Sequence, residues 1–314
     1  MRRLFVIFAL LLLAAATPAN ALSPAFLFAW GSAGSAAGQF QSPHGLASAP
    51  DGSVYVGDTV NGRIQRFNAS GAFVSQWAAG FPGGVAVDGD GNVFVLDLNG
   101  SQVLVFSASG AFLRSIGGPG STDGRFNFPL DIAVDASGFL YVADWLNHRM
   151  QKFTNAGAFV LAWGTSGSGN GQFDEPTAVA TDAAGFVYVT DMLQNRVQKF
   201  TGTGAFVAAW GTPGSGDGQL SFPTGIAVDA NGYVMVLEGG NARVQVFRPD
   251  GAFVLAFGSP GGGPGQFNNP AALDVDASHR IVVLDKDNSR VQVFADVSTP
   301  ALRTSWATLK RRWR

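Results

Sequence analysis

Cysteine is absent from this 314-residue chain, which removes disulfide frameworks, thiol nucleophiles, thiolate zinc sites and a lipidated cysteine near the N-terminus. Three histidines leave little material for an imidazole metal centre. Long apolar runs are nearly absent as well. The one of note, Leu4 to Ala16, has 13 residues, short of the ~20 that cross a bilayer. Arg2 and Arg3 precede it, and Ala19, Asn20 and Ala21 supply the small-x-small pattern that a signal peptidase accepts. Residues 1–21 therefore read as a cleaved export signal, with a periplasmic, cell-surface or extracellular destination. A content of 46% hydrophobic and only 13% charged residues excludes a disordered chain, and 42 glycines with 15 prolines exclude a mostly helical one.

Charge is unevenly placed. Residues 22–301 hold 13 basic and 22 acidic side chains, a net of −9, whereas residues 302–314 hold five basic and no acidic ones. An acidic body repels phosphate backbones, so nucleic acid is excluded as the expected partner.

Pro82, Pro129, Pro176, Pro223 and Pro270 are 47 residues apart, and Pro43 stands 39 before the first. Asp58, Asp97, Asp144, Asp191, Glu238 and Asp285 keep the same register, as do Phe67, Phe106, Phe153, Phe200, Phe247 and Phe294. Six copies are present. In the copy from Pro129 to Gly164, four short apolar or alternating runs are separated by polar, glycine-containing turns: a (132–135), b (139–144), c (149–153) and d (158–163). Four strands in a period of 40 to 50 residues predict a β-propeller. A strand d without a blade, around Phe26 and Trp30, precedes the first copy, and the sixth copy lacks its own. The N-terminal strand is expected to pair with strand c of the sixth blade and close the ring. This gives an all-β, six-bladed propeller over residues 22–299, a basic tail over 300–314, and an expected monomer.

The segments YVADWLNHRMQKF, YVTDMLQNRVQKF and MVLEGGNARVQVF, each after P-x-x-(I/V)-A-x-D-x-x-G, resemble the NHL repeat family over residues 25–296. The resemblance implies a six-bladed NHL propeller, a fold shared by extracellular sensor domains, RNA-binding modules and a peptide-amidating lyase. Fold analogy does not choose among them.

Repeated residues read as scaffold. The recurrent Phe and Trp are inter-sheet packing, and D-x-x-N-x-R is a turn closed by side-chain hydrogen bonds, with Arg in five copies and Gln102 in the second. Asp88 to Asn92 looks like a calcium-loop fragment but occupies a hairpin between strands a and b, so a turn is expected and no metal or cofactor. Function is sought where the repeat breaks. His44 stands in SPHGLA where later copies have Leu130, Thr177, Thr224 and Ala271. The amidating lyases bear a zinc-binding His in a similar Pro-His setting, but the other equivalents here carry no imidazole. His148 falls in a b–c turn and His279 in an a–b hairpin on the opposite face.

The loop from strand d to the next strand a spans 13 residues in five places but 5 from Trp77 to Pro82, so a notch is expected between blades 1 and 2. The b–c turns carry Leu98, Trp145 with Leu146, and Met192 with Leu193 on three adjacent blades. These side chains form either one exposed apolar patch beside the notch or a cluster tucked under the long loops. In the tail, Trp306 and Trp313 share a helical face with Leu302 and Leu309, flanked by Lys310, Arg311 and Arg312, a pattern suited to peripheral envelope contact. The leading expectation is an exported, non-catalytic binding or scaffold module for a peptide, glycan or protein. Its ligand candidates are the turn residues with His44, His148 and Asp131. The rival is a metal-dependent lyase or lactonase using the central channel, with His44 and Asp131 as its unusual polar groups.

Overall fold

The computed structural model describes residues 23–297; the export signal and the tail read from the sequence lie outside this range. Six four-stranded antiparallel sheets form the blades of a propeller. Blade 1 comprises Gly45–Ser48, Val54–Asp58, Arg63–Phe67 and Phe73–Ala78, and blade 2 comprises Pro82–Val87, Val93–Asp97, Gln102–Phe106 and Phe112–Gly117. Blade 3 is built from Pro129–Val134, Leu140–Asp144, Arg149–Phe153 and Phe159–Trp163, and blade 4 from Pro176–Thr181, Phe186–Asp191, Arg196–Thr201 and Phe206–Trp210. Blade 5 contains Pro223–Val228, Val234–Glu238, Arg243–Phe247 and Phe253–Phe257. Blade 6 takes Ala272–Val275, Ile281–Asp285 and Arg290–Phe294 from the end of the chain and Phe26–Trp30 from its start. Within each blade these are strands a to d, counted from the channel outward.

Strand b is buried along its whole length in blades 1, 2, 3, 5 and 6, because both of its faces meet neighbouring sheets. Such strands read as continuous apolar runs, and VFVLD and IVVLD do. The core is therefore divided into six apolar layers, one in each seam between adjacent blades. The seam between blades 6 and 1 is filled like the others, with Leu46, Val56 and Phe67 meeting Val282, Leu284 and Val291.

The predicted ring closure is present: Phe26 pairs with Phe294 and Trp30 with Val291 in antiparallel register. Trp30 is also keyed into blade 1. Gly71 has φ +80°, and a Cβ there would fall 2.6 Å from the Trp30 ring. Only a residue without a side chain can both adopt that conformation and admit the indole.

Each of the five long d–a loops ends on a fully buried residue, Phe40, Phe126, Phe173, Leu220 or Phe267. Each also folds back in a short parallel pairing, such as Ala33 with Phe40 or Pro119 with Phe126.

Candidate functional site

The D-x-x-N-x-R element is more than a turn closure. In blade 1 the Asp58 carboxylate accepts from the Gln41 amide (2.7 Å), Asn61 Nδ2 (2.9 Å), Arg63 Nε (2.8 Å) and Gln65 Nε2 (3.1 Å). The same side chains reach the preceding d–a loop: Asn61 donates to Gly34 O, Arg63 to Ala36 O and Gln39 O, and Gln65 to Gln39 O. Blade 3 repeats this with Asp144, Asn147, Arg149 and Gln151. Blades 5 and 6 do so with Glu238 and Asp285. Blade 4 keeps the Arg196 clamp on Asp191. Every one of these five carboxylates is fully buried and paired with an arginine. Blade 2, which follows the short loop, has Gly100, Gln102 and Leu104 where blades 1, 3, 5 and 6 have Asn, Arg and Gln.

The long loops and the b–c turns share one face of the disc. On it, the residue directly after the strand-b acid points inward: Thr59 and Leu98 are 5% exposed, and Trp145 and Met192 are half-buried. The next residue points out, leaving Leu146 and Leu193 each 45% exposed. The expected patch thus divides. Leu98 lies over Gly83, where an added Cβ would fall 2.5 Å from its Cδ2, and it does not reach the surface. Trp145 starts a single 3₁₀ turn, Trp145–Asn147, and packs edge-on against Phe128 at 5.5 Å between ring centroids.

Phe222, just before blade 5, was not anticipated and is 49% exposed. It holds φ 48°, and its amide donates to Asn195 Oδ1 (2.8 Å) of the blade 4 turn. Its sequence signal was the Phe-Pro pair, shared with Phe81 and Phe128. His148 ends the blade 3 turn in a left-handed conformation, with Nδ1 2.6 Å from Asp174 O. Met192 donates its amide to Glu175 O (2.8 Å). These bonds join the turns of blades 3 and 4 and the entry to blade 5 into one surface. Burial and the neighbouring Asp174 push the Glu175 carboxyl up, against the opposing pull of Trp145 and His148.

The inner strands enclose a channel cavity of about 220 Å³. His44 lines it beside Thr177 and Thr224 at the b–c end. Burial, then Lys286, lowers its pKa to about 4, so the imidazole is neutral at neutral pH. Asp131 and Asp274, from opposite blades 3 and 6, also line the cavity. Asp131 accepts from the Val179 amide (2.9 Å) and Asp274 from the Ser48 amide (2.7 Å), each across a seam. Loss of hydration raises Asp131 to about 7 and Asp274 to about 6. No hydrogen bond joins His44 to Asp131 among the described residues. Asp274 could have been noticed in the sequence, since the other blades have Ala at its register position.

The opposite mouth, about 410 Å³, is lined by His279, Asp88 and the equivalent hairpin carboxylates. Asp88 accepts from the Asp90 (3.0 Å) and Asn92 (2.8 Å) amides, as expected of a turn residue. Among the described residues no three His, Asp or Glu side chains converge in a way that could hold a metal ion.

Four segments, residues 40–67, 126–153, 220–247 and 267–294, match the NHL repeat model, and neither blade 2 nor blade 4 is among them. No curated protein matches the sequence. Among solved structures, a protein of unknown function from Bacteroides thetaiotaomicron aligns with TM-score 0.69 at 20% identity, covering 85% of this chain and 74% of that one. A gluconolactonase from Xanthomonas campestris aligns with TM-score 0.62 at 16% identity, covering 82% and 87%. A virginiamycin B lyase from Staphylococcus aureus aligns with TM-score 0.58 at 15% identity, covering 80% and 79%. At these identities the likeness is one of fold. The chain carries NHL repeats on a six-bladed propeller.

Proposed function

We propose that this NHL-repeat propeller is a non-catalytic binding module that takes a peptide or protein partner on the face bearing the b–c turns. The observation that carries this reading is the set of apolar side chains Leu146, Leu193 and Phe222, 45 to 49% exposed on consecutive blades whose turns and entry loops are linked by hydrogen bonds. Exposed apolar side chains grouped on one face are characteristic of interaction surfaces. Half-buried Trp145 and Met192 precede Leu146 and Leu193 in their turns, and Trp145 packs against Phe128. The fixed turns pre-organise the surface, so a partner loses little entropy in ordering it. Export of the mature chain fits such a role, and the basic tail suits contact with an anionic envelope surface.

The test compares partner capture by the wild-type chain and by a Leu146→Ser, Leu193→Ser, Phe222→Ser variant. The variant should lose the partner while its melting temperature stays close to wild type, because exposed substitutions shift stability by no more than about 0.5 kcal/mol each. Retained capture would overturn the reading. Capture lost only on substitution of His44 and Asp131 would move the site into the channel.

A further inference from the structure

We infer that blade 2 holds a subsite for the guanidinium of an arginine presented by a peptide partner, with Asp97 as its counter-charge. The molecule itself provides the template. In five blades the acid ending strand b takes an arginine Nε–H at 2.6 to 3.0 Å, and the same guanidinium reaches backbone carbonyls of the preceding loop. In blade 2 the carboxylate remains, but both the arginine and the loop are gone.

Asp97 accepts from the Phe81 amide (3.1 Å) and Gln102 Nε2 (3.2 Å). Its counterparts in blades 1, 3, 5 and 6 each accept four bonds, one of them from a cation. An ionised carboxylate has about four acceptor sites, and no cation lies within ion-pair distance of Asp97 among the described residues. Asp97 is 9% exposed where the other five are 0%, so it is the least enclosed of the six carboxylates. Gly80 and Gly100 flank the carboxylate and place no side chain over it.

Arginine fits this vacancy better than lysine. It brings five donors in a planar fork, and a peptide carrying it also brings the carbonyls that the missing loop would have supplied. The net charge of −9 over residues 22–301 favours the approach of a cationic segment. Asp97 and the short loop lie on the face already proposed for partner binding, but the chemistry there is separate from that of the apolar surface and is tested separately.

The full chain is titrated with acetyl-Gly-Arg-Gly-amide and with the same peptide carrying citrulline, the neutral isostere, following binding by nuclear magnetic resonance. The arginine peptide should saturate with a Kd no weaker than about 10 mM, and citrulline should bind at least tenfold more weakly. Asp97→Asn should reduce arginine binding at least tenfold. Gln102→Arg should abolish it by filling the vacancy from within, with a melting temperature at or above wild type. The Leu146→Ser, Leu193→Ser, Phe222→Ser variant should bind the arginine peptide normally. Equal binding of the two peptides, no saturable binding, or unchanged binding by Gln102→Arg would overturn the proposal. Should Asp97→Asn fail to fold, the Gln102→Arg result decides.

Discussion

Arg149 and Gln102 stand at the same register position in neighbouring blades, yet their surroundings predict different costs of removal. Arg149 is paired with the fully buried Asp144 and grips Thr122 O and Arg125 O. Arg149→Ala strands a buried carboxylate and releases a loop, which should cost about 3 kcal/mol in a urea unfolding curve. Gln102→Ala removes one long hydrogen bond and no loop contact, and should cost under about 1 kcal/mol. Equal costs would show that the clamp contributes little.

The channel carboxylates give a pH dependence of definite sign. Asp131 and Asp274 hold protons to about pH 7 and 6 when folded, whereas the unfolded chain releases them near the ordinary value of 3.8. The folded state therefore binds more protons between these limits, and stability should fall as pH rises through the window. Both side chains face a cavity that can admit water, which tempers the effect to the order of 1–3 kcal/mol for the pair. The double variant Asp131→Asn, Asp274→Asn should lose this fall in urea midpoint from about pH 4 to pH 8, leaving the opposite contribution of His44, whose pKa is about 4 when folded and 6.5 ordinarily, as a rise between those values. A fall that persists in the double variant would assign it to other groups.

At the scale of elements, the blades were legible because a 47-residue spacing repeats acid, aromatic and proline together, and no accident of composition does so. Strand c of blade 3 falls at residues 149–153 as read, and strand a begins at Pro129, three residues earlier than its apolar pattern suggested. The exposure of the turn residues was less legible. Leu98 and Leu146 look alike in the sequence, but the first follows the acid directly and drops onto Gly83, while the second lies one residue further along and points outward. That distinction depends on turn geometry and on which residue lies below. The double service of the arginines, to carboxylate and loop, was equally hidden. The coincidence of Gln102 with the short loop was its only sign in the sequence.

For the molecule as a whole, no single blade has a core of its own. Apolar side chains are buried in the seams, so each sheet is stable only between two others. The outer strand Phe26–Trp30 covers strand c of blade 6 and sends Trp30 toward blade 1. Removing residues 23–30 should leave an unpaired edge along Arg290–Phe294 and an opened seam, seen as a lower melting temperature and concentration-dependent association in sedimentation. A truncated chain that associates no more than the full one, with unchanged stability, would show that the closure is dispensable.

The pairing of Phe26 with Phe294 also sets a timetable for folding, because partners 268 positions apart in the chain must meet before the last sheet is complete. A ribosome has made nearly the whole chain by then, and hairpins formed early must wait without their final neighbour. Contacts of such long range make for slow folding. The waiting edge is most exposed to wrong partners during synthesis, when a chaperone or a second nascent chain could reach it first.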